Sequence, residues 1–320
     1  MSWQDFESTR RWMDRLKARR KGSLSTRRVF LYYLARFCQF AKKNPDLLIT
    51  ERKQHLKADD ESMRRKHEEL VEKFSTSLRE KNASPNTVAT AVAAVCSFYK
   101  ANYMPLVEVS VPAPYPVRQA KVPTPKELRA MVEICDDEKD ILVKAWILCQ
   151  AESGMANIDL HKLELRSKSC HSAEFGYIGS QLKDGTVPLH IHIIREKTMA
   201  SGLGWYDSFF GERAVEALNE HVDFSKSRLF DVSDRTIQLK LREISMKAGI
   251  ATEEVPIRPY DLRKYFNTRL KLAGMNETLV EYMMGHSLGR VKGAYFVPPV
   301  LELRKVYSRY YSCISIGNRS

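Results

Sequence analysis

The sequence predicts a mainly α protein of two domains, the first wholly helical and the second a mixed α/β domain with a small antiparallel sheet. Three observations carry this prediction. Apolar residues recur at helical spacing through the first hundred positions, a proline-dense stretch then breaks the pattern, and beyond it only two short neighbouring segments read as strands. With 320 residues and 43% hydrophobic content, the chain can bury two ordinary cores.

In the first domain, residues 1–108, the positions Val29, Phe30, Tyr33, Leu34, Phe37 and Phe40 mark one helix. Val88, Ala91, Val92, Val95, Phe98 and Tyr99 mark another, and Ser84-Pro85 supplies its N-cap and a proline at the first helical position. The stretch 51–80 between them is dense in both charge signs and reads as a solvated helix with its loops. Five prolines between residues 109 and 125 forbid a continuous helix there, so 109–123 is the expected linker.

The second domain, residues 124–320, opens at Thr124-Pro125-Lys126-Glu127, a capping box with proline in the first turn. A helix is expected over 141–151, strands over 189–194 and 205–209 around a turn, and helices near Glu212, Thr236, Leu262 and Thr278. Strict alternation in Leu189-His190-Ile191-His192-Ile193 puts both histidines on one strand face, which reads as an exposed face rather than a metal site. Residues 301–311 are amphipathic, with Leu303, Val306 and Tyr310 on one stripe. Such a helix either folds on its own domain or docks on a neighbouring protomer.

The formal net charge of +13 points to a polyanionic partner. Residues 1–121 hold 24 Lys and Arg against 13 Asp and Glu, or +11, which leaves +2 for the remainder. An imbalance over a whole domain favours contact with a phosphate backbone. The six cysteines form no C-x-x-C pair and no zinc-ligand spacing, and read as reduced thiols of an intracellular protein. Neither a signal peptide nor a membrane span is expected.

The most informative stretch runs from Arg258 to Tyr295, RPYDLRKYFNTRLKLAGMNETLVEYMMGHSLGRVKGAY. Its D-L-R text, its G-H and its tyrosine, at intervals of 23 positions from Arg263 to His286 and 9 from His286 to Tyr295, closely resemble the C-terminal motifs of the tyrosine recombinase, lambda-integrase-like family. The resemblance implies a tyrosine recombinase fold: a helical DNA core-binding domain followed by a catalytic domain. It also implies a reaction. Tyr295 attacks a DNA phosphodiester and holds the strand as a 3′-phosphotyrosine, so no cofactor, metal or ATP is needed for rejoining. Arg263 supplies a bidentate fork to the non-bridging oxygens, and His286 adds a hydrogen bond to the same phosphate.

A further family element is a hairpin lysine that protonates the leaving 5′-oxygen. Lys197, in the turn after strand 189–194, matches it, with Lys183 the weaker substitute. Two departures stand out. The family's first arginine, in a T-G-x-R-x-x-E-type segment, is replaced by Ala156 in Ser153-Gly154-Met155-Ala156-Asn157-Ile158-Asp159, although Asp159 fits the acidic position that buttresses the site. Tyr260 stands where the family has the histidine of H-x-x-R, and a phenol donates a hydrogen bond but is a poor proton shuttle near neutral pH. Arg195, Arg166 and Arg258 are candidates to replace the missing arginine. Arg195 is preferred, because it lies two positions before Lys197 and shares its face.

The reading is therefore a recombinase or integrase of duplex DNA, passing through Holliday junctions as a homo-oligomer, a tetramer on paired sites, in the cytoplasm with the nucleoid. Two alternatives stand beside it. One is a type IB topoisomerase-like nicking-closing enzyme, and the other a recombinase-derived DNA-binding protein weakened by Ala156 and Tyr260.

Overall fold

The structure, a computed structural model, describes residues 3, 5–19, 24–109, 121–195, 204–253, 255–289 and 295–317. The chain divides into two compact units, 1–119 and 120–320. The division falls inside the expected linker, most of which lies outside the described residues.

The first unit contains α1 (Glu7–Arg19), α2 (Leu24–Ala41), α3 (Pro45–His55), α4 (Glu61–Arg64), α5 (Lys66–Glu80) and α6 (Pro85–Ala101). Helix α6 begins as expected: the Ser84 side chain accepts from the Thr87 amide at 3.2 Å, and Pro85 follows. Its alanines and valines let α1, α2 and α5 pack closely around it, with Val88, Ala91, Val92, Val95 and Phe98 fully buried. Trp12 of α1 seals the core and donates to Ser97 Oγ at 3.0 Å.

The stretch 51–80 corrects the expectation of a solvated helix. One face of α5 is core, with His67, Val71, Phe74 and Leu78 buried. The charges that made the stretch look solvated partly neutralise one another: Arg52 and Glu68 are only 2% and 5% exposed and form a two-bonded pair at 2.7 and 2.5 Å. A buried carboxylate needs such a partner, and the Val107 amide at 3.0 Å further satisfies Glu68.

The second unit is arranged around α8 (Ile141–Ser153), which is buried on nearly every side from Val143 onward. A helix apolar all round belongs in the middle of a domain. Around it pack α7 (Pro125–Asp137), α11 (Glu212–His221) and α13 (Pro259–Leu272). The capping box that opens α7 is present, Thr124 and Glu127 exchanging both bonds. The short helices α9 (Asn157–Leu160) and α10 (Ile178–Lys183) lead to the antiparallel pair β1 (Leu189–Ile194) and β2 (Trp205–Phe210), in which His192 faces Asp207 and Ile194 faces Trp205. Then follow α12 (Asp234–Lys247), α14 (Glu277–Met283) and α15 (Val300–Tyr310).

Two expectations meet the structure here. The histidine face of β1 is not an exposed face: His190 is 1% exposed, and both histidines bond Asp207 on the neighbouring strand. Alternation correctly puts the two rings on one face, but Tyr282 of α14 and Ser172 cover that face. Helix α15 lies on its own unit. Leu303 and Tyr307 are buried, and the Tyr307 hydroxyl donates to the Glu152 carbonyl at 3.0 Å. All six cysteines are free thiols, and no helix among the described residues is long and apolar enough to cross a membrane.

Candidate active site

Two glycine turns organise the site. Helix α8 ends at Gly154, whose φ of +62° is the left-handed conformation a C-terminal stop requires. A Cβ on Gly154 would also lie 2.3 Å from the ring of Phe266. Gly285, just after α14, has a φ of +65°, and a Cβ there would meet Arg195 Nη1 and the Tyr206 ring at 2.7 Å. Both positions leave backbone carbonyls open to an arginine.

Arg263 projects from the first half of α13, a helix whose start is fixed by Pro259 and by the Asp261 carboxylate accepting from the Arg258 amide at 3.0 Å. It is 7% exposed and bridges the two turns, Nη1 donating to Gly154 O at 2.7 Å and Nη2 to Met284 O at 2.8 Å. Burial lowers its pKa, and the nearby Arg195 adds to the lowering. Two cations within electrostatic reach, with their side chains already ordered by carbonyls, suit a site that awaits an anion.

Arg195 follows directly after β1 and makes the parallel set of contacts. Its Nε donates to Asp159 Oδ2 at 2.9 Å, its Nη2 contacts the same oxygen and its Nη1 contacts Gly285 O. The guanidinium lies over the Tyr206 ring, 4.6 Å from its centre, while the Tyr206 hydroxyl donates to Asp159 Oδ2 at 2.9 Å. Burial opposes the charge of Arg195, but the hydrogen bond and attraction of Asp159 outweigh it and raise the pKa. Asp159, 2% exposed, accepts from both Arg195 and Tyr206.

His286 follows Gly285. Its Nδ1 is in close contact with Glu281 Oε2 and its amide donates to Glu281 O at 2.9 Å, so Nε2 is the ring nitrogen left for a substrate. Lys271 donates to the other oxygen of Glu281 at 2.5 Å, and together with His286 it holds the Glu281 carboxyl below its ordinary pKa against the opposing effect of burial. This carboxylate is a site feature that the sequence reading missed. Its spacing of five residues before a histidine is the one signal that could have flagged it.

The remaining candidates are more scattered. Tyr295 is 88% exposed and lines an open apolar hollow of about 410 Å³ with Asn276, Thr278, Leu279 and Phe296. Among the described residues it is hydrogen-bonded to none of the arginines nor to His286. Tyr260 is 62% exposed at the first turn of α13, with the Lys264 ammonium 4.8 Å from its ring centre. It also lines a groove with Arg235, Arg242 and Arg258. Lys197 lies outside the described residues. The weaker substitutes do not join the cluster: Arg166 and Arg258 are exposed, and Lys183 lies over the Phe224 ring.

The phage integrase family model matches residues 121–296, more than half of the chain. A search of curated proteins finds no match. Among solved structures, lambda integrase (residues 75–356), solved as a dimer bound to a COC′ core site, is similar with a TM-score of 0.52 at 12% identity, over 86% of this chain and 93% of that one. The XerA recombinase shares 20% identity over 95% of this chain and 98% of its own, with a TM-score of 0.40. The Tn1549 transposon integrase, in complex with circular intermediate DNA, shares 16% identity over 75% and 84%, with a TM-score of 0.49.

Proposed function

The chain belongs to the phage integrase family of tyrosine recombinases, and from that premise we propose that it is a site-specific recombinase that cuts and rejoins duplex DNA through Tyr295. The observation that carries the proposal is the meeting of Arg263, Arg195 and His286 at the turns 154–159 and 284–286. A guanidinium fork offers two parallel donors to a phosphate, and two such forks neutralise the charge that grows on the non-bridging oxygens during attack. His286 Nε2 adds a third donor. The Tyr295 oxygen attacks phosphorus, its phenolic proton passing to solvent, and the bond to the 5′-oxygen breaks. Lys197 delivers a proton to that leaving oxygen. Rejoining reverses each step, and the phosphotyrosine conserves the bond energy.

Arg195 takes the place of the arginine absent at Ala156. It is anchored on Asp159, in the same segment that would have carried the missing side chain, and it shares the second turn with Arg263. Tyr260 donates a hydrogen bond from its exposed phenol at the edge of the site. The first unit, with most of the net positive charge, grips the DNA backbone as a core-binding domain. The protein assembles as a homo-oligomer, a tetramer on paired sites, and acts on DNA in the cytoplasm.

One observation favours a second reading: Ala156 and Tyr260 remove two groups the family uses, which suits a DNA-binding descendant with little or no strand-cleaving activity. Incubation with a pool of nicked, end-labelled duplexes of randomised sequence separates the two. A competent enzyme traps itself on a subset of the pool as adducts that survive detergent. Tight binding without any adduct would instead establish the second reading.

A further inference from the structure

Consecutive residues of a strand point to opposite faces, and in β2 this alternation has an unusual result. Tyr206 faces the arginine cluster and donates to Asp159. Asp207 faces the other way, and its carboxylate, 4% exposed, gathers three side chains. His190 Nε2 lies 3.0 Å and His192 Nδ1 2.8 Å from Oδ1, while the Tyr282 hydroxyl donates to Oδ2 at 2.5 Å. Tyr282 is itself 1% exposed and lies on the last turn of α14, two and three residues before the carbonyls that hold Arg263 and Arg195. The ring of Phe296 meets the Tyr282 ring edge-on at 5.9 Å, and Phe296 is the residue directly after Tyr295.

We propose that Asp207 and Tyr282 are positioning residues for strand cleavage, fixing at one point both the turn that orders the two arginines and the segment that carries the nucleophile. The proposal rests on the recombinase reading above. Its physical basis is directional. An apolar contact between α14 and β2 would let the helix slide, whereas a hydroxyl on a carboxylate fixes distance and angle together. Burying that carboxylate is costly, and the two histidines from β1 offset the cost by satisfying Oδ1. The donors outweigh burial and hold the Asp207 carboxyl well below its usual range, so the acceptor stays ionised. Strand β2 therefore grips the 154–159 turn through Tyr206 and the 282–286 turn through Asp207, and Phe296 extends the second grip to Tyr295.

The test is single-turnover cleavage of a nicked duplex recovered from the randomised pool, followed over a range of DNA concentrations. Tyr282→Phe keeps the ring under Phe296 and removes only the hydroxyl. It is expected to slow cleavage at saturating DNA by ~10-fold, short of the ~10²-fold that a displacement of about 1 Å can cause, with half-saturation and final amplitude unchanged. Phe296→Leu should act alike, and the double variant should be little slower than the worse single, because both act along one path. Should Tyr282→Phe fail to fold, the half-exposed His192 provides the second measurement: His192→Asn, which keeps a donor near the Nδ1 position, should cleave normally and His192→Leu slowly. Wild-type rates in Tyr282→Phe or in His192→Leu, or a loss of amplitude at unchanged rate, would overturn the proposal and leave the recombinase reading intact. An unmodified protein that forms no adduct with any duplex would overturn both.

Discussion

Arg195 and Arg263 donate to the carbonyls of adjacent residues, Gly285 and Met284, so two side chains 68 positions apart in sequence are held by one turn. Each also reaches the 154–159 segment, Arg263 at Gly154 O and Arg195 at Asp159. The arrangement supplies two guanidiniums where the sequence offers only one at a familiar position. It also makes both arginines dependent on the two glycine turns.

Arg195→Ala is expected to reduce cleavage by ~10²-fold or more, the scale of losing one charge-stabilising donor, with little change in DNA affinity. The substitution leaves Asp159 buried without its cation, which costs stability. The double variant Arg195→Ala with Asp159→Asn should therefore recover the melting temperature without recovering cleavage. Adding Ala156→Arg to Arg195→Ala should restore part of the rate. Normal cleavage by Arg195→Ala would assign the second fork elsewhere.

Tyr295→Phe should abolish adduct formation and leave binding of the same duplex within about twofold, since only the nucleophilic oxygen is lost. The other tyrosines nearby are poor alternatives. Tyr307 is buried and donates to Glu152 O, Tyr310 donates to Gly274 O at 3.3 Å, and Tyr311 is bonded to Glu152 Oε1 at 3.0 Å. A surviving adduct, mapped by peptide mass, would identify which of them is exposed in the DNA complex.

The legible parts of the fold are those that depend on local pattern. Helix α8 carries the apolar run Ala145-Trp146-Ile147-Leu148-Cys149, and the caps at Ser84 and Thr124 need only three or four residues to specify them. Arg263, His286 and Tyr295 became candidates through the resemblance of 258–295 to the family's motifs. What escaped depends on partners distant in sequence. The polarity of 51–80 hid the core face of α5 because Arg52 and Glu68 cancel only once α3 and α5 are packed. The histidine face of β1 looked solvent-facing because its cover, Tyr282, comes 90 positions after His192. The expectation that Arg195 shares a face with Lys197 involves a residue outside the described ones, and the anchors of Arg195 on Asp159 and Gly285 could be read only from the packed structure.

Residues 1–121, expressed alone, should bind duplex DNA with an affinity that falls steeply with salt, because phosphate contact by a +11 segment releases condensed counterions. Each neutralised phosphate adds roughly −0.9 to the log-log slope. Five or six contacts would thus give a slope near −5, measurable by anisotropy between low and moderate salt. A slope near zero would remove the backbone-gripping role from this unit.

Glu152 is fully buried in the last turn of α8, where its carboxyl accepts from the Tyr311 hydroxyl at 3.0 Å and the Ala214 amide at 3.2 Å. Burial pushes its pKa up to about 8, against the hydrogen bonds that favour the charged form. An acid whose folded pKa lies above its unfolded value near 4.3 binds more protons when folded. Stability must therefore fall as pH rises through the interval between the two values, and the loss is complete above about 8. A displacement of this size corresponds to a few kcal/mol. Glu152→Gln keeps the shape and cannot ionise, so its melting temperature relative to wild type should rise with pH, from equal or lower at pH 5 to several degrees higher at pH 9. The C-terminal helix should register the same change. Tyr311 bonds the Glu152 carboxyl, so amide exchange along 300–313, after correction for the intrinsic rate, should accelerate as pH rises towards 8 in the wild type and not in the variant. A stability difference independent of pH would show that Glu152 titrates alike in the folded and unfolded chains.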